Sequence, residues 1–247
     1  MPQYEIVPLV LGTIEIDKSA MVYFVDCGVK ITMPVVCFYV KGAAKNILVD
    51  TGAPAEVNRR HCPDEPAQDI QSFEEALAKH GLEPADIDIV IQTHLHHDHA
   101  GNTMKCTEAQ VFAQEAEIKF ALAPHPLFAH LYDTDTIRRL RFESVKGDAE
   151  IASGIKVLFT PGHTPGAQSV AIETAKGTAI ITGFCCIRET LEVPPETKEM
   201  FPHWLVHTPG IHTDALAAFD SALRVKETAD ILVPNHDPAL MQTAAIP

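Results

Sequence analysis

One stretch of the chain, THLHHDHAG at residues 93–101, restricts the fold more than any other. Four histidines and an aspartate crowd into it, with Leu95 the only other residue among them. The preceding residues, 87–93, are rich in Ile and predict a buried strand. His94 and His96 stand two apart at the end of this strand, so their side chains point to the same side. Because imidazole and carboxylate groups are ligands for zinc and other borderline divalent ions, the stretch predicts a metal site.

Two further histidines lie in turns that follow predicted strands far along the chain. His163 lies within TPGHTPG, directly after the strand predicted at 156–160, and His236 lies within PNHDP, after the strand predicted at 231–234. Either one alone is compatible with an ordinary hydrogen-bonded turn residue. Together they repeat one arrangement, a candidate ligand on a loop at a strand end. They are therefore the distant ligands that a metal site at 93–101 needs.

Short runs rich in Val and Ile, bounded by Gly, Pro, Asn or Asp, recur along the chain and predict strands. These predicted strands cover residues 5–11, 35–40, 46–50, 87–93, 110–113, 156–160, 169–173, 178–182 and 231–234. Helices are predicted at 72–81, where Ser72 and Glu75 form a capping box and Gly81 ends the helix, and at 213–226. The Pro-rich residues 193–196 and residues 201–210 predict an irregular loop. This pattern by itself indicates only mixed α and β structure.

Charge and cysteine content restrict the partners and the compartment. The formal net charge of −14, from 19 Lys and Arg against 33 Asp and Glu, argues against a nucleic-acid partner and against adsorption to an anionic membrane. The first residues lack a basic segment followed by a sustained apolar stretch, and no run of about 18 apolar residues predicts a membrane span. The six cysteines show no disulfide-scaffold spacing, which favours reduced thiols and a cytoplasmic location.

The segments HLHHDHAG, TPGHTPG and an upstream LVDTG together resemble the metallo-β-lactamase superfamily of metal-dependent hydrolases. The likeness covers nearly the whole chain, since MPVVCFYV, ILVDTGAP, TPGHTPGAQSV and a closing NHDP are similar in order and spacing to the N-acyl-homoserine lactonase, or quorum-quenching, branch. The resemblance implies a single α+β domain over residues 1–247, a four-layer αββα sandwich of two mixed sheets with flanking helices. It places the metals in a cleft at one edge of the sheets, and it implies a homodimer.

The same resemblance implies two divalent ions, zinc first, with manganese, iron or cobalt as alternatives. The implied ligands are His94, His96 and His163 for the first metal and Asp98, His99 and His236 for the second. His97 occupies the variable position inside the motif and is not counted as a ligand. Asp50, in LVDTG, matches a position that supports the site from behind, where a carboxylate can orient a ligand imidazole through its second nitrogen.

One segment departs from the superfamily pattern. The strand predicted at 178–182 is usually followed by an aspartate that bridges the two metals, but here Phe184 stands at that position, and phenylalanine cannot ligate. Ile187 stands where the lactonases tend to carry a tyrosine near the substrate carbonyl. The departure leaves both the second metal and the specificity for acyl-homoserine lactones open.

Three interpretations of this segment remain. In the first, Cys185 or Cys186 supplies a thiolate to the second metal, since thiolate is a good zinc ligand and the metal keeps it deprotonated. In the second, the bridge is lost and the chain holds one tight metal and one weak metal. In the third, both cysteines are buried core residues at a strand end, where free cysteine is common, and the alignment slips by one residue.

The resemblance implies the opening of a lactone or related cyclic ester, a small-molecule substrate, by hydroxide formed on a metal. Asp98 would be both a ligand and the catalytic group that moves a proton to the leaving oxygen. Phe184 and Trp204 are candidate contacts to the substrate. Two alternatives are another hydrolase of the superfamily, acting on a thioester, cyclic amide, aryl ester or organophosphate, and a metal- or redox-binding protein that uses Cys185 and Cys186.

Overall fold

The computed structural model describes residues 3–247. The strands are β1 (Glu5–Asp17), β2 (Lys30–Lys41), β3 (Ile47–Val49), β4 (Ala67–Asp69), β5 (Ile89–Ile91), β6 (Gln110–Gln114), β7 (Phe142–Val145), β8 (Ala149–Ala152), β9 (Ile155–Phe159), β10 (Gln168–Thr174), β11 (Gly177–Ile181) and β12 (Ile231–Val233). The helices are α1 (Ala55–His61), α2 (Phe73–Ala78), α3 (His97–Ala100), α4 (Glu115–Leu122), α5 (Thr134–Ile137), α6 (Arg188–Leu191), α7 (Pro195–Met200) and α8 (Ala215–Thr228). Short 3-10 turns lie at Lys18–Ala20, Pro84–Asp86, Thr103–Lys105, Ala129–Leu131 and Pro238–Gln242.

The strands form two mixed sheets. The seven-stranded sheet has the order β4-β1-β2-β3-β5-β6-β7, and the five-stranded sheet has the order β12-β11-β10-β9-β8. In the first sheet β1 and β2 form a long antiparallel hairpin, whereas β3, β5, β6 and β7 run parallel to one another. In the second sheet β12 lies parallel to β11 and the other pairs are antiparallel. The parallel strands of each sheet therefore end at a common edge, and the loops that leave them can meet there.

Apolar side chains from both sheets pack together to form the central core. One cluster of buried side chains contains Phe38, Val49 and Ile91 of the seven-stranded sheet together with Val170 and Ile181 of the five-stranded sheet. All five are fully buried. Because side chains alternate across a strand, each sheet also has an outer apolar face that another layer must cover.

Helices cover both outer faces. Phe73 and Leu77 of α2 pack with Leu48 and Val90 on the seven-stranded sheet. On the other side, residues of α8 join a cluster with Ile180 of the five-stranded sheet. The layers are thus helix, sheet, sheet and helix, and the predicted αββα sandwich is confirmed.

The predicted elements are present, with adjusted ends. Each of the nine predicted strands overlaps an observed one, the hairpin strands β1 and β2 are longer than predicted, and the strand before the histidine motif is reduced to β5. The capping box of Ser72 and Glu75 is formed at the start of α2. The predicted irregular loop at 193–196 is wrong in part, because α7 begins at Pro195, and proline is favourable at the first helical position. Within residues 3–247, no helix has the length and apolar character needed to span a bilayer.

Candidate metal centre

The six predicted ligands meet at the edge where the parallel strands end. His94 and His96 follow β5, and Asp98 and His99 lie on the single turn of α3 that comes next. The other two come from the second sheet, in the β9–β10 loop and in the turn after β12. All of these side chains are buried or nearly so, although they are polar. Buried polar groups need partners, and these ones face one another.

The first group contains His94, His96 and His163. One ligand atom from each lies within 4.8 Å of the others, and the Nε2 atoms of His94 and His163 are 3.2 Å apart. Burial lowers the pKa of His94 and His96 well below the ordinary value, and it lowers the pKa of His163 to about 4. These imidazoles are therefore neutral near pH 7, and neutral imidazole is the form that binds zinc.

The second group contains Asp98, His99 and His236. The Nε2 atoms of the two imidazoles are 3.2 Å apart, and Asp98 Oδ2 lies 3.4 Å from His99 Nε2 and 3.8 Å from His236 Nε2. Their ligand atoms also fall within 4.8 Å of one another. This set of two nitrogens and one oxygen is suited to a borderline divalent ion.

The electrostatics of the second group favour a cation. Burial acts to lower the pKa of His99, but the carboxylates of Asp98 and Asp50 outweigh it and raise the pKa to about 9. Burial acts to raise the pKa of Asp98, but the imidazoles of His99, His97 and His236 outweigh it and hold that pKa below its ordinary value. In the absence of other charge, a proton satisfies this cluster, and a bound metal ion would take the place of that proton.

Asp50 lies where the sequence places it, behind the ligands. Its Oδ2 is 2.7 Å from His99 Nδ1, and it accepts hydrogen bonds from the backbone N–H and the hydroxyl of Thr93. The Thr93 hydroxyl in turn lies 3.1 Å from His94 Nδ1. Asp50 has a left-handed backbone with φ of 57°, which aims the carboxylate at the site. It thus orients one imidazole directly and another through a hydroxyl.

Backbone carbonyls do the same for the two histidines of the second sheet. The Nδ1 of His163 is 2.6 Å from the carbonyl of Ile211, and the Nδ1 of His236 is 3.3 Å from the carbonyl of Pro34. An N–H donated at Nδ1 leaves the Nε2 lone pair free to face a metal. The donor set and the tautomers therefore fit two divalent ions.

His97 joins neither group. Its ring stacks on His61 with 4.7 Å between centroids, and its Nδ1 lies 3.3 Å from the carbonyl of Leu131. Its neighbours on either side in the motif belong to the two ligand groups, because α3 turns the chain at this point.

Phe184 is placed differently from the prediction of a substrate contact. It is fully buried and packs with Ile180, Leu191 and Val206 beneath α8, on the outer side of the five-stranded sheet. It does not belong to the side chains that line the cavity at the ligands. Phe184 is therefore a residue of the hydrophobic core in this chain.

The two cysteines that follow belong to neither ligand group. Cys185 lines the cavity, but its Sγ is 3.2 Å from the Ala20 carbonyl and 3.3 Å from Met21 Sδ. Cys186 Sγ is 3.1 Å from the hydroxyl of Thr182. Burial raises the pKa of both thiols, that of Cys186 to about 12. Among the described residues neither thiol belongs to a three-ligand group. Both side chains are buried, as the third interpretation of this segment expects.

Trp204 also lies outside the cavity at the ligands. It is partly exposed, and it stacks on Phe201 with 4.3 Å between ring centroids. It lines a separate shallow pocket together with Tyr23 and Leu216. Of the predicted irregular loop at 201–210, only Gly210 lines the cavity at the ligands, together with the next residues, Ile211 and His212.

A cavity of about 380 Å³ opens onto both ligand groups. Its apolar wall comes from the β1–β2 hairpin, from the segment around residues 127–131 and from Ile211 in the loop before α8. The wall residues are Ile14, Ile16, Met21, Met33, Leu127, Phe128, Leu131 and Ile211. Glu65 and Cys62 also reach the cavity, and burial raises the pKa of the Glu65 carboxyl. A volume of this size suits a small organic molecule.

The sequence did not point to Glu117 or Tyr132. Glu117 is fully buried beside the first ligand group, and the Tyr132 hydroxyl donates to it over 3.3 Å. The Tyr132 ring packs edge-on against His96, with 4.8 Å between centroids. In the sequence, Glu117 is one of two glutamates in QEAEIKF, and nothing in that pattern distinguishes it from an exposed helical residue.

Comparisons with known proteins agree with this geometry. The family model described as "Metallo-beta-lactamase superfamily" matches residues 32–236. An N-acyl homoserine lactonase of a Bacillus species is 28% identical over 228 residues, which covers 87% of this chain and 84% of that protein. An N-acyl homoserine lactonase of Bacillus thuringiensis is 29% identical over 182 residues, covering 69% of this chain and 70% of that protein.

A solved structure shows the same architecture. A variant of AiiA from B. thuringiensis, with N-decanoyl-L-homoserine bound at its active site, superposes with a TM-score of 0.78 at 27% identity. The superposition covers 98% of this chain and 96% of that one. With the family model spanning most of the sequence, and with the sandwich and its two ligand groups in place, this chain belongs to the metallo-β-lactamase superfamily.

Proposed function

We propose that this protein is a metal-dependent lactonase that opens acylated lactones, with N-acyl homoserine lactones as the first substrate class to test. The observation that carries the proposal is that one cavity joins two three-ligand groups to an extended apolar wall. The relatives that cover most of the chain are N-acyl homoserine lactonases, which supports the same activity.

Two divalent ions, zinc first, are the proposed cofactors. His94, His96 and His163 would hold one ion, and Asp98, His99 and His236 would hold the other. Bound ions of this kind polarise a carbonyl and lower the pKa of water towards neutrality. The protein's own contribution is to keep all the imidazoles buried and oriented, and to keep those of the first group neutral near pH 7.

Asp98 is the residue we assign to proton movement. Its carboxyl lines the cavity with about a tenth of the side chain exposed, and its low pKa makes it an acceptor near neutral pH. Opening a lactone requires one proton to leave the attacking water and one to reach the ring oxygen as it departs. A carboxylate that borders the cavity and faces the ligands can carry that proton between the two.

The apolar wall gives the proposal its substrate class. Ile14, Ile16 and Met33 project from the β1–β2 hairpin, and Met21 follows in the connection between the strands. Removal of a hydrocarbon chain from water is favourable by roughly 0.8 kcal/mol for each buried CH₂ group. An acyl chain several carbons long would therefore bind more tightly than a bare lactone ring.

The substrate carbonyl must be oriented without the tyrosine that the lactonases tend to carry near it, because Ile187 stands at that position in this chain. Ile187 is buried in an apolar cluster with Ile14, Ile16 and Met21, and it does not line the cavity. Position 187 therefore offers no phenol to the ester, and the polar side chains that line the cavity besides the two ligand groups are Glu65, His97, His130 and His212.

The test is a substrate panel assayed on the zinc-loaded protein. Ring opening of homoserine lactones with short and long acyl chains, and of a lactone without an acyl chain, releases a proton that a pH indicator reports. Thioesters and aryl phosphotriesters are followed by release of thiol and of phenolate. We expect the highest kcat/KM for a long-chain acyl lactone.

Variants of the ligands supply the controls. His163→Ala and His236→Ala should each lose at least 100-fold in kcat/KM, whereas Glu115→Gln, at a partly exposed position of α4, should keep the activity. A higher kcat/KM for a thioester or phosphotriester than for every lactone would contradict the proposal.

A further inference from the structure

A buried carboxylate adjoins the metal ligands without belonging to either group. Glu117, on α4, has no exposed surface, whereas Glu115 two residues earlier is partly exposed and pairs with Lys119 and Lys146. Burial raises the pKa of Glu117. Burying a carboxylate is costly unless hydrogen bonds replace those it made to water. The hydrogen bonds of Glu117 should therefore explain why it is buried.

The contacts of Glu117 are all hydrogen-bond donors. Its Oε1 accepts from the backbone N–H of Leu95 over 2.9 Å and from the hydroxyl of Tyr132 over 3.3 Å. Its Oε2 accepts from the hydroxyl of Thr164. Such a set suits an ionised carboxylate, which only accepts, and it does not suit an amide, which must donate from one end.

Two of these donors, the backbone N–H of Leu95 and the hydroxyl of Thr164, come from the two loops that carry the first ligand group. Leu95 lies between His94 and His96, and Thr164 directly follows His163. A Cβ on Gly166 would come within 2.0 Å of the Glu117 backbone nitrogen, so only glycine lets the His163 loop lie directly on α4. One carboxylate therefore joins the loop of the first sheet to the loop of the second sheet at the point where their imidazoles meet.

We propose that Glu117 is a positioning residue for the first metal: it fixes the separation between His163 and the pair His94 and His96. The inference rests on the proposed metal-dependent function. By its position it sets the affinity of that group for a divalent ion, whereas none of its hydrogen bonds to the described residues reaches Asp98, His99 or His236.

Tyr132 strengthens the connection. Its hydroxyl donates to Glu117 while its ring packs edge-on against His96. A shift of the carboxylate would therefore move a ligand through side-chain packing as well as through the backbone of Leu95.

Zn²⁺ affinity, measured by competition with a chromophoric chelator, tests the proposal. Each ligand group is isolated by removing a ligand from the other: His236→Ala leaves the first group complete, and His163→Ala leaves the second. Glu117→Gln is made in both backgrounds, with Glu115→Gln as the matched control on the same helix. In the His236→Ala background we expect Glu117→Gln to weaken Zn²⁺ binding about 10–100-fold, the usual effect of removing a partner of a metal ligand.

In the His163→Ala background the same substitution should change the affinity by less than about twofold, because no ligand of the second group contacts Glu117. Equal losses in both backgrounds would mean that Glu117 serves only general stability, and the inference would be overturned. Unchanged affinity in the first background would overturn it as well.

Thr164→Val provides the measurement if Glu117→Gln does not fold, as judged by far-UV circular dichroism. It removes a single donor to Oε2 and keeps the shape of the side chain. A several-fold loss confined to the first group is expected, and no loss would overturn the inference. Because binding is measured without substrate, a protein that binds Zn²⁺ in this way but opens no lactone would contradict the proposed function alone.

Discussion

A single carboxylate, Asp98, combines the positions of a metal ligand and of a group facing the cavity. We predict that Asp98→Asn lowers kcat by at least about 100-fold and changes KM only slightly, because an amide keeps an oxygen ligand but cannot carry the proton. Steady-state kinetics on samples with verified metal content provide the measurement. An unchanged kcat at full metal content would remove Asp98 from the chemistry.

The two adjacent cysteines give a second prediction. The Sγ of Cys185 contacts the Ala20 carbonyl and Met21 Sδ, and that of Cys186 contacts the Thr182 hydroxyl, so both thiols have partners other than the ligand groups. The double variant Cys185→Ser and Cys186→Ser should therefore retain the metal content of the parent protein. Elemental analysis after dialysis measures it, with Cys106→Ser as a buried control. A fall of one metal per chain, confined to the double variant, would restore the thiolate interpretation.

Individual residues differ in how far the sequence could predict them. The six candidate ligands lie in short motifs beside strand ends, where the sequence indicates a metal site, whereas their division into two groups and the place of Asp50 were implied by the family resemblance. Glu117 and Tyr132 were not predicted, because a buried hydrogen bond between distant helices and loops leaves no periodic or local pattern. Phe184 was assigned to the substrate from its position in the superfamily pattern, yet its side chain points beneath α8.

The loop that carries His163 is held between two helices. It lies against α4 at Gly166 and against α8 at Gly162, where a Cβ would come within 2.2 Å of the Ala218 backbone nitrogen. Hydrogen bonds add to this contact, since the backbone N–H of Thr213 donates to the carbonyl of Gly162 over 2.7 Å. The start of α8 is thus part of the support for a ligand loop.

The N-cap of α8 gives the prediction for this element. The Asp214 side chain accepts from the backbone N–H groups of Leu216 and Ala217, both at 3.0 Å. Asp214→Ala should lower the free energy of unfolding by about 1 kcal/mol, the usual cost of losing such a cap. Urea denaturation measures it, with the exposed Asp220→Ala on the same helix as control, for which less than about 0.5 kcal/mol is expected. Equal effects of the two substitutions would contradict the capping argument.

Elements were predicted from the sequence to the extent that their patterns are local. β9, β10, β11 and β12 appear within about two residues of the predicted ends, since Val- and Ile-rich runs bounded by turn residues define them. The helix α4 was not predicted, although it supports the site, because its eight residues carry no cap hydrogen bond from a side chain. The pairing of β3, β5 and β6 depends on tertiary packing, so the local sequence pattern did not predict it, and the family resemblance implied only two mixed sheets.

The two sheets meet at the ligand groups, and each group draws on both sheets. His94 and His96 leave the seven-stranded sheet, whereas His163 leaves the five-stranded sheet, and the second group divides in the same way between Asp98 with His99 and His236. A bound ion would therefore crosslink the sheets at one edge of the sandwich. Folding and metal binding should then be coupled, because the unfolded chain does not assemble the ligands.

Removal of metal should accordingly destabilise the whole molecule. An ion present at 1,000 times its Kd stabilises the folded state by about 4 kcal/mol, and in a chain of this length each kcal/mol shifts Tm by roughly 2–4 °C. A chelator in excess should therefore lower Tm by roughly 8 °C or more, and readdition of Zn²⁺ should restore it, as measured by differential scanning calorimetry. The variant with both His163→Ala and His236→Ala should melt at the same temperature with and without chelator. An equal response of that variant and the parent would show that the ion acts elsewhere than at this edge, and no response in the parent would contradict the crosslink.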